Sequence, residues 1–301
     1  MTSTEVHLRN FFVQAYIGAM NSWPPETHRT LATVVVLLLL LTWESLAPFF
    51  IQFTRAPAVR ARHALRNLGL GGLNAALNGL VCVGLWLAVA HWAEQHRFGL
   101  FHWVKLPTWA HLLSAFILLD LWMYGWHRMN HRIPFLWRFH RVHHSDPAMD
   151  VTTASRFHVG EIALSCVARL PIIALLGVGL LELVLYETVM FAVVQLHHAN
   201  IKLPGWLERS LRLIIVTPYM HKVHHSDWQP ETDSNYSSLF SFWDRLFRTL
   251  RLRDDPHTLR FGLKEFGAPE HQTLKGLITA PVRQVEDPSR QLFRQRLAGR
   301  E

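Results

Sequence analysis

The chain has 301 residues, 50% of them hydrophobic and only 17% charged, with 20 histidines and a formal net charge of +8. Those proportions exclude a disordered or low-complexity protein. Arginine outnumbers lysine 25 to 5, and in so apolar a chain the basic excess is expected to orient membrane segments and meet anionic lipid, with no nucleic-acid partner.

Taken in order, the first 30 residues carry Glu5, Arg9, Glu26 and Arg29, which break any apolar core and argue against a cleavable signal peptide. A membrane span needs about 20 apolar residues. Thr30 to Phe53 meets that, with Glu44 and Pro48 near one end. Leu68 to Trp92 meets it cleanly, and Trp109 to Trp126 nearly so. Trp92, Trp103, Trp109 and Trp126 stand where an aromatic belt is expected. In Ile162 to Leu196, Arg169 and Pro171 interrupt the start, and Gly177-Val178-Gly179 divides the run into pieces of about 10 to 15 residues. Pieces that short predict a re-entrant or tightly turned helical hairpin. Cys82 and Cys166 lie in separate apolar runs, a pattern that argues against a disulfide framework or thiolate site.

Arg55, Arg60, Arg62 and Arg66 follow the first span without an acid, and Arg128 through Arg141 is again basic. Both segments should be cytoplasmic, leaving the amino terminus outside. The expected architecture is an all-α integral membrane bundle of about three full spans plus a hairpin, with a cytoplasmic histidine-rich helical cap. Its parts are N-terminal spans over 1–106, a histidine-box domain over 107–250 containing the hairpin 162–196, and a polar cytoplasmic tail over 251–301.

The histidines are not scattered evenly. His127 and His131 are four apart, on one helical face. His140, His143 and His144 have spacings of three and four, repeated by His221, His224 and His225. His197 and His198 close the hairpin. The sequence His140-Arg-Val-His-His-Ser-Asp146 recurs as His221-Lys-Val-His-His-Ser-Asp227. Such a repeat implies two equivalent elements facing one centre. Pro134 opens one predicted helix, and Thr217-Pro218 supplies the other with an N-cap and first-turn proline. Neutral imidazole suits iron, zinc, copper or nickel. Eight to ten converging histidines are too many for one ion and about right for two. Carboxylates are scarce among them, which excludes the soluble carboxylate-bridged design. Spacing therefore predicts two metals beside a membrane, and iron follows only from the reaction class such a site suits, oxygen activation on a lipid-soluble substrate. His7, His28, His63, His91, His96, His102, His111, His257 and His271 stand singly and read as ordinary polar residues.

The run Asp120-Leu-Trp-Met-Tyr-Gly-Trp-His-Arg-Met-Asn-His131, with the two H-x-x-H-H boxes, resembles the fatty acid hydroxylase superfamily, which includes sterol desaturases. The likeness extends to Thr153–His158 with Glu161, to His197-His-Ala-Asn200, and to Asn235-Tyr236 followed by Trp243–Phe247, about 130 residues in all. Val159, Ser237 and Arg248 depart from the family's usual residues in the flanking pieces, where they bear on the substrate entrance. The resemblance implies a membrane di-iron enzyme, with two Fe ions (Zn possible in isolated protein) and O2 as co-substrate. It carries His127, His131, His140, His143, His144, His221, His224 and His225 over as ligands. His198 is preferred to His197 as a further one.

Several residues could orient the ligands. Asp120 lies two turns before His127 in an apolar span, where a carboxylate is costly and is a functional candidate by default; an arginine partner at the membrane edge is the bland alternative. Asp146 and Asp227 either orient rings or simply stop helices. His158, Glu161 and Asn235 complete the candidates, and Gln195 could face a cavity. Trp243, Phe247 and Leu250, opposite Arg245, Arg248 and Arg251, read as a lid on the lipid headgroups. Nucleotide, haem and flavin motifs are missing, since Gly177-Val-Gly fails the dinucleotide fingerprint. Electrons must then come from a reductase, ferredoxin or cytochrome docking on the basic face. The expected activity is hydroxylation or desaturation of a membrane lipid at a C–H bond. A membrane zinc lipid hydrolase and a metal transporter or sensor are the alternatives. The arginine-rich composition and short tails lean towards a bacterial inner membrane.

Overall fold

A computed structural model describes residues 25–53 and 56–284. The expectations resting on Glu5, Arg9, Arg55 and the end of the tail lie outside those residues, as do His7 and the amino terminus. Among the described residues the chain is nearly all helical, with isolated bridges and no strand. The principal helices are α1 (Pro25–Leu46), α2 (Pro57–Leu77), α3 (Val83–Gln95), α4 (Thr108–Arg132), α5 (Pro134–His144), α6 (Val159–Leu176), α7 (Leu180–His198) and α8 (Pro218–His224). A π-helical turn, Asn78–Cys82, joins α2 to α3 without ending the rod.

Four stretches are long and apolar enough to cross a membrane: Arg29–Leu46, Pro57–Trp103, Val159–Leu176 and Leu180–His198. Four expectations change. The hairpin arms have 18 and 19 residues, about 27 to 29 Å at ~1.5 Å per residue, so each is a full span's length. The interruption at Pro171 does not shorten α6, which continues from Val159 to Gly177; there φ is +68°, a left-handed stop that glycine takes without strain. Arg169 is absorbed by an ion pair to Glu187 on α7 and by the face of Trp86 on α3, 4.7 Å away. Conversely, α4, the expected third span, is not among the four, because Asp120 and its polar carboxyl end lower its hydropathy. The first span ends at Leu46, short of Phe53. Trp126 is buried at 6% exposure and so stands in no belt, unlike Trp92, Trp103 and Trp109.

The helices alternate in direction. Pro48 bridges Ile201 at one end, and His63 of α2 meets Asp146 just beyond α5. At the opposite end the turn at Gly177 lies against Gly99, where an added Cβ would clash. Hence α1, α4 and α7 run towards one end, and α2–α3 and α6 run away from it. That common end gathers the carboxyl ends of α4 and α7, all of α5 and α8, and the loop 145–158.

Asp120 locks this frame. It is fully buried and accepts from Tyr186 Oη on α7 at 3.0 Å, from the backbone N–H groups of Leu239 and Phe240 at 3.2 and 2.9 Å, and from Trp243 Nε1 at 2.9 Å. Its partners are neither a histidine nor an arginine, so neither sequence reading of it holds. The same bond buries Trp243, and Phe247 stacks on Tyr124 at 5.0 Å. The expected headgroup lid is anchored through Trp243, while Leu246 and Phe247 stay exposed, and its helix runs only from Phe242 to Leu246. Gln195 is also structural, donating to the Thr33 carbonyl of α1 at 3.2 Å. Asp120→Asn should cost about 2 to 3 kcal/mol, because charge-assisted bonds weaken and one donor loses its acceptor. Thermal unfolding in detergent should show the lower midpoint, while metal content stays near that of the parent protein.

Candidate metal centre

Nine box histidines sort into two groups whose ring nitrogens lie within 4.8 Å of one another. His127, His131, His140, His144 and His224 form the first, and His143, His198, His221 and His225 the second. The sorting follows from helical geometry. On α5, His140 and His144 are one turn apart and turn to the first group, while His143 turns to the second. The repeat does the converse: His221 and His225 turn to the second group and His224 to the first. The two motifs thus face each other crosswise, with the rings of His144 and His225 stacked at 4.4 Å between the groups. Each helix begins with a proline in its first turn, and Thr217 Oγ1 caps α8.

Four of the outward ring nitrogens are fixed by acceptors. His127 Nδ1 donates to the Tyr236 carbonyl at 2.8 Å, and His224 Nδ1 to the Ser234 carbonyl at 2.6 Å. His198 Nδ1 donates to the Val194 carbonyl at 2.7 Å, and His140 Nδ1 to Glu161 Oε1 at 2.9 Å. His131 Nδ1 lies 3.4 Å from Asp233 Oδ1. An imidazole that donates through Nδ1 presents an Nε2 lone pair to whatever lies inside. The inner nitrogens Nε2 of His127, His140, His144, His224 and His225 are buried without a hydrogen-bond partner. In the second group, His198 Nε2 lies 3.1 Å from His143 Nε2 and 3.0 Å from His221 Nε2. Two nitrogens bound at right angles to one ion at about 2.1 Å stand about 3.0 Å apart. The residues therefore fit two nitrogen-ligated ions.

Charge favours the same conclusion. Burial, reinforced by neighbouring imidazoles, holds His127, His131, His143, His144, His221 and His225 well below the ordinary imidazole value, and burial takes His224 down to about 3. They stay neutral at physiological pH, the form that binds metal.

The other sequence candidates divide. Glu161 orients His140 and also accepts from Asn130 at 3.2 Å. Asn235, at φ +50°, grips the Met220 and Arg251 carbonyls at 3.0 and 2.7 Å and so sets the neighbouring carbonyls of Ser234 and Tyr236. His158 is the N-cap of α6, accepting from Gly160 N at 2.9 Å. Asp146 touches no box histidine; it binds His63 at 2.8 Å and Thr153 at 2.7 Å. Burial would raise its pKa, but His63 and Arg156 hold it well below the usual carboxylate range. Asp227, its counterpart in the repeat, is exposed, and among the described residues no hydrogen bond links its carboxylate to a histidine. His197 lies with its ring 3.9 Å from that of His221, tilted by 36°, but belongs to neither group.

Sequence reasoning passed over three contributors. His63, classed with the scattered histidines, pairs with Asp146 and approaches Asp150 at 3.3 Å; Asn67, one turn on, was the available signal. Glu44 is fully buried and joins Arg60 of α2 to the backbone N–H groups of Val151 and Asn200. The 233–236 segment serves three first-group histidines through two carbonyls and one carboxylate, and backbone acceptors leave no residue-type signal.

Residues 112–249, just under half of the chain, match the family model described as fatty acid hydroxylase. Similar curated proteins include an alkylglycerol monooxygenase of Danio rerio, 31% identical over 52% of this chain and 34% of that protein. A cholesterol 25-hydroxylase of Rattus norvegicus is 25% identical over 60% of this chain and 63% of its own length. An ornithine lipid hydroxylase of Rhizobium tropici is 28% identical over 50% of this chain and 45% of its own. The matched region thus spans between a third and just under two-thirds of these relatives. No solved structure matches.

Two outcomes are expected. Glu161→Gln should weaken metal binding about 10- to 100-fold through loss of the carboxylate acceptor for His140, read by metal titration of the purified protein. The metal-free protein should lose stability as pH falls below about 6.5. The unfolded chain then takes up protons that the buried imidazoles refuse, at about 1.4 kcal/mol per group per pH unit. Thermal midpoints at pH 7.5 and 5.5 measure the slope.

Proposed function

We propose that the chain belongs to the fatty acid hydroxylase family and is an oxygen-dependent hydroxylase of a membrane lipid, built on two iron ions. The observation that carries the reading is the crosswise division of nine histidines into groups of five and four whose ring nitrogens converge. One group would hold each ion, with His198 as the extra ligand of the second. When bound, the irons supply the redox capacity to activate O2, and the overall stoichiometry is lipid–H + O2 + 2 e⁻ + 2 H⁺ → lipid–OH + H2O.

The chain's own residues prepare the site. Glu161 and the Ser234, Tyr236 and Val194 carbonyls hold four rings in one tautomer with inner lone pairs converging. Nearly complete burial excludes water, which would compete for the ions and quench an oxidant. The apolar helices α3, α4, α6 and α7, packed around Leu119, Tyr186 and Met190, supply the surroundings an acyl or sterol-like body prefers. Relatives described as hydroxylases and monooxygenases favour hydroxylation over desaturation. An all-nitrogen double site at one end of the helices argues against a transporter, whose ligands would follow a path along the spans, and against a hydrolase, for which one zinc suffices.

In this reading residues 1–106 anchor the chain, 107–250 carry the chemistry, and 251–301 form the tail. The basic segments around Arg60–Arg66 and Arg128–Arg141 put the centre on the cytoplasmic side, in a bacterial inner membrane. Electrons come from a separate reductase, ferredoxin or cytochrome.

Purified protein should contain about two irons per chain. Cells making it should accumulate a lipid heavier by 16 mass units, only when O2 is present, as read by mass spectrometry of lipid extracts. His143→Ala and His224→Ala, one from each group, should each lose iron and product. Retention of both in these variants, or product formed under strict anaerobiosis, would refute the assignment.

A further inference from the structure

The proposed reaction consumes electrons from outside the chain, and a port for them has meaning only on that reading of the site. The two groups are not equally remote from solvent. Every side chain of the second lies deep, with His143, His198, His221 and His225 at 1 to 2% exposure. In the first, His131 is covered by a thin layer consisting of Trp137 at 5.1 Å, Tyr236 at 5.2 Å and the Asp233 carboxylate. Trp137 is half-buried and also lies 5.4 Å from His144. A single aromatic side chain thus touches two first-group histidines on one side and reaches the surface on the other.

That surface has a distinctive chemistry. Ile133 is 42% exposed and Trp228 53%. Trp228 is held one turn before Asp233 by the bond from Thr232 N to its carbonyl, and Arg251 lies over its ring at 5.3 Å. Arg132, beside Asp233 and Tyr236, and Arg251 are both exposed. An apolar centre rimmed by arginines suits a protein partner with an acidic face, since complementary charge speeds and orients encounter. An anionic lipid surface would meet the same charge but has no need of an aromatic residue in contact with two metal-facing histidines.

We propose that this face docks an acidic one-electron carrier protein and that Trp137 is the port by which its electrons reach the metal centre. Each turnover oxidises two carriers by one electron apiece. With two solvent protons these reduce one oxygen atom of O2 to water while the other enters the lipid C–H bond.

The test uses full-length protein in detergent, with an acidic [2Fe–2S] ferredoxin as the probe. Metal-free parent protein should bind oxidised ferredoxin at low salt. Arg132→Glu/Arg251→Glu should weaken that binding at least tenfold, and the difference should close at high ionic strength. In iron-loaded protein, Trp137→Leu should keep the parent's affinity for ferredoxin. Its rate of ferredoxin oxidation, relative to reduction by dithionite, should fall at least tenfold, with Trp137→Phe intermediate. Charge-reversed protein that binds ferredoxin as the parent does overturns the proposal, as does parent protein reduced by dithionite that never binds ferredoxin. If charge reversal instead abolishes only the affinity for phosphatidylglycerol vesicles, the face is a lipid contact and the proposal fails. Salt-dependent binding lost on charge reversal, in a protein that makes no hydroxylated lipid with dithionite and O2, would sink the hydroxylase reading and leave the docking surface standing.

Discussion

Nine imidazoles packed together in a dry interior are the constraint on which the structure turns. Each ring has two polar nitrogens, and a buried polar atom without a partner costs about 1 to 3 kcal/mol. The fold answers part of that demand with fixed acceptors on the outward nitrogens of His127, His140, His198 and His224. It leaves the inward nitrogens of His127, His140, His144, His224 and His225 without protein partners, lone pairs that a cation satisfies. Burial also keeps His127, His131, His143, His144, His221, His224 and His225 uncharged, which favours cations at the centre over protons.

Holding so many rings in register requires an unyielding frame. That explains the other buried polar residues, which do not touch the centre but fix the segments that do. Asp120 ties α4 to α7 and to the 239–243 segment. Asp146, Asp150, Asn67 and His63 lash α2 to the loop after α5. Arg156, buried behind α5, donates to the Val142 carbonyl at 3.0 Å and to Ser145 Oγ at 2.9 Å, fixing the end of the helix that bears His143 and His144. The tail contributes too: Phe266, Leu277 and Ala280 pack on Val142 and Leu70, and the Ala280 carbonyl accepts from Arg141. A carboxylate in an apolar bundle is expensive unless several donors converge on it, and here several do.

The centre is built at one end of the helices because their directions alternate. Three run towards it, so carboxyl-terminal residues of α4 and α7 arrive beside α5 and α8 without long connections. The apolar lengths of α1, α3, α6 and α7 are left to face lipid, and the polar chemistry sits where the spans end.

The sequence by itself determined the periodic features. Helical spacing put His127 with His131, the H-x-x-H-H repeat marked two equivalent elements, and apolar runs marked the spans, because periodicities of 3.6 residues and lengths of about 20 are local properties. Tertiary structure alone decided the rest. Spacing could not say that His143 parts from His140 and His144, because that division depends on where α8 lies. It could not separate His197 from His198, adjacent residues that differ only in which neighbour they meet. Asp120 and Asp146 looked like companions of the ligands, yet their donors come from residues more than 60 positions away in the first case and from α2 in the second. The acceptors at Ser234, Tyr236 and Val194 are backbone carbonyls, which every residue carries. Their role is written in position and not in side-chain type.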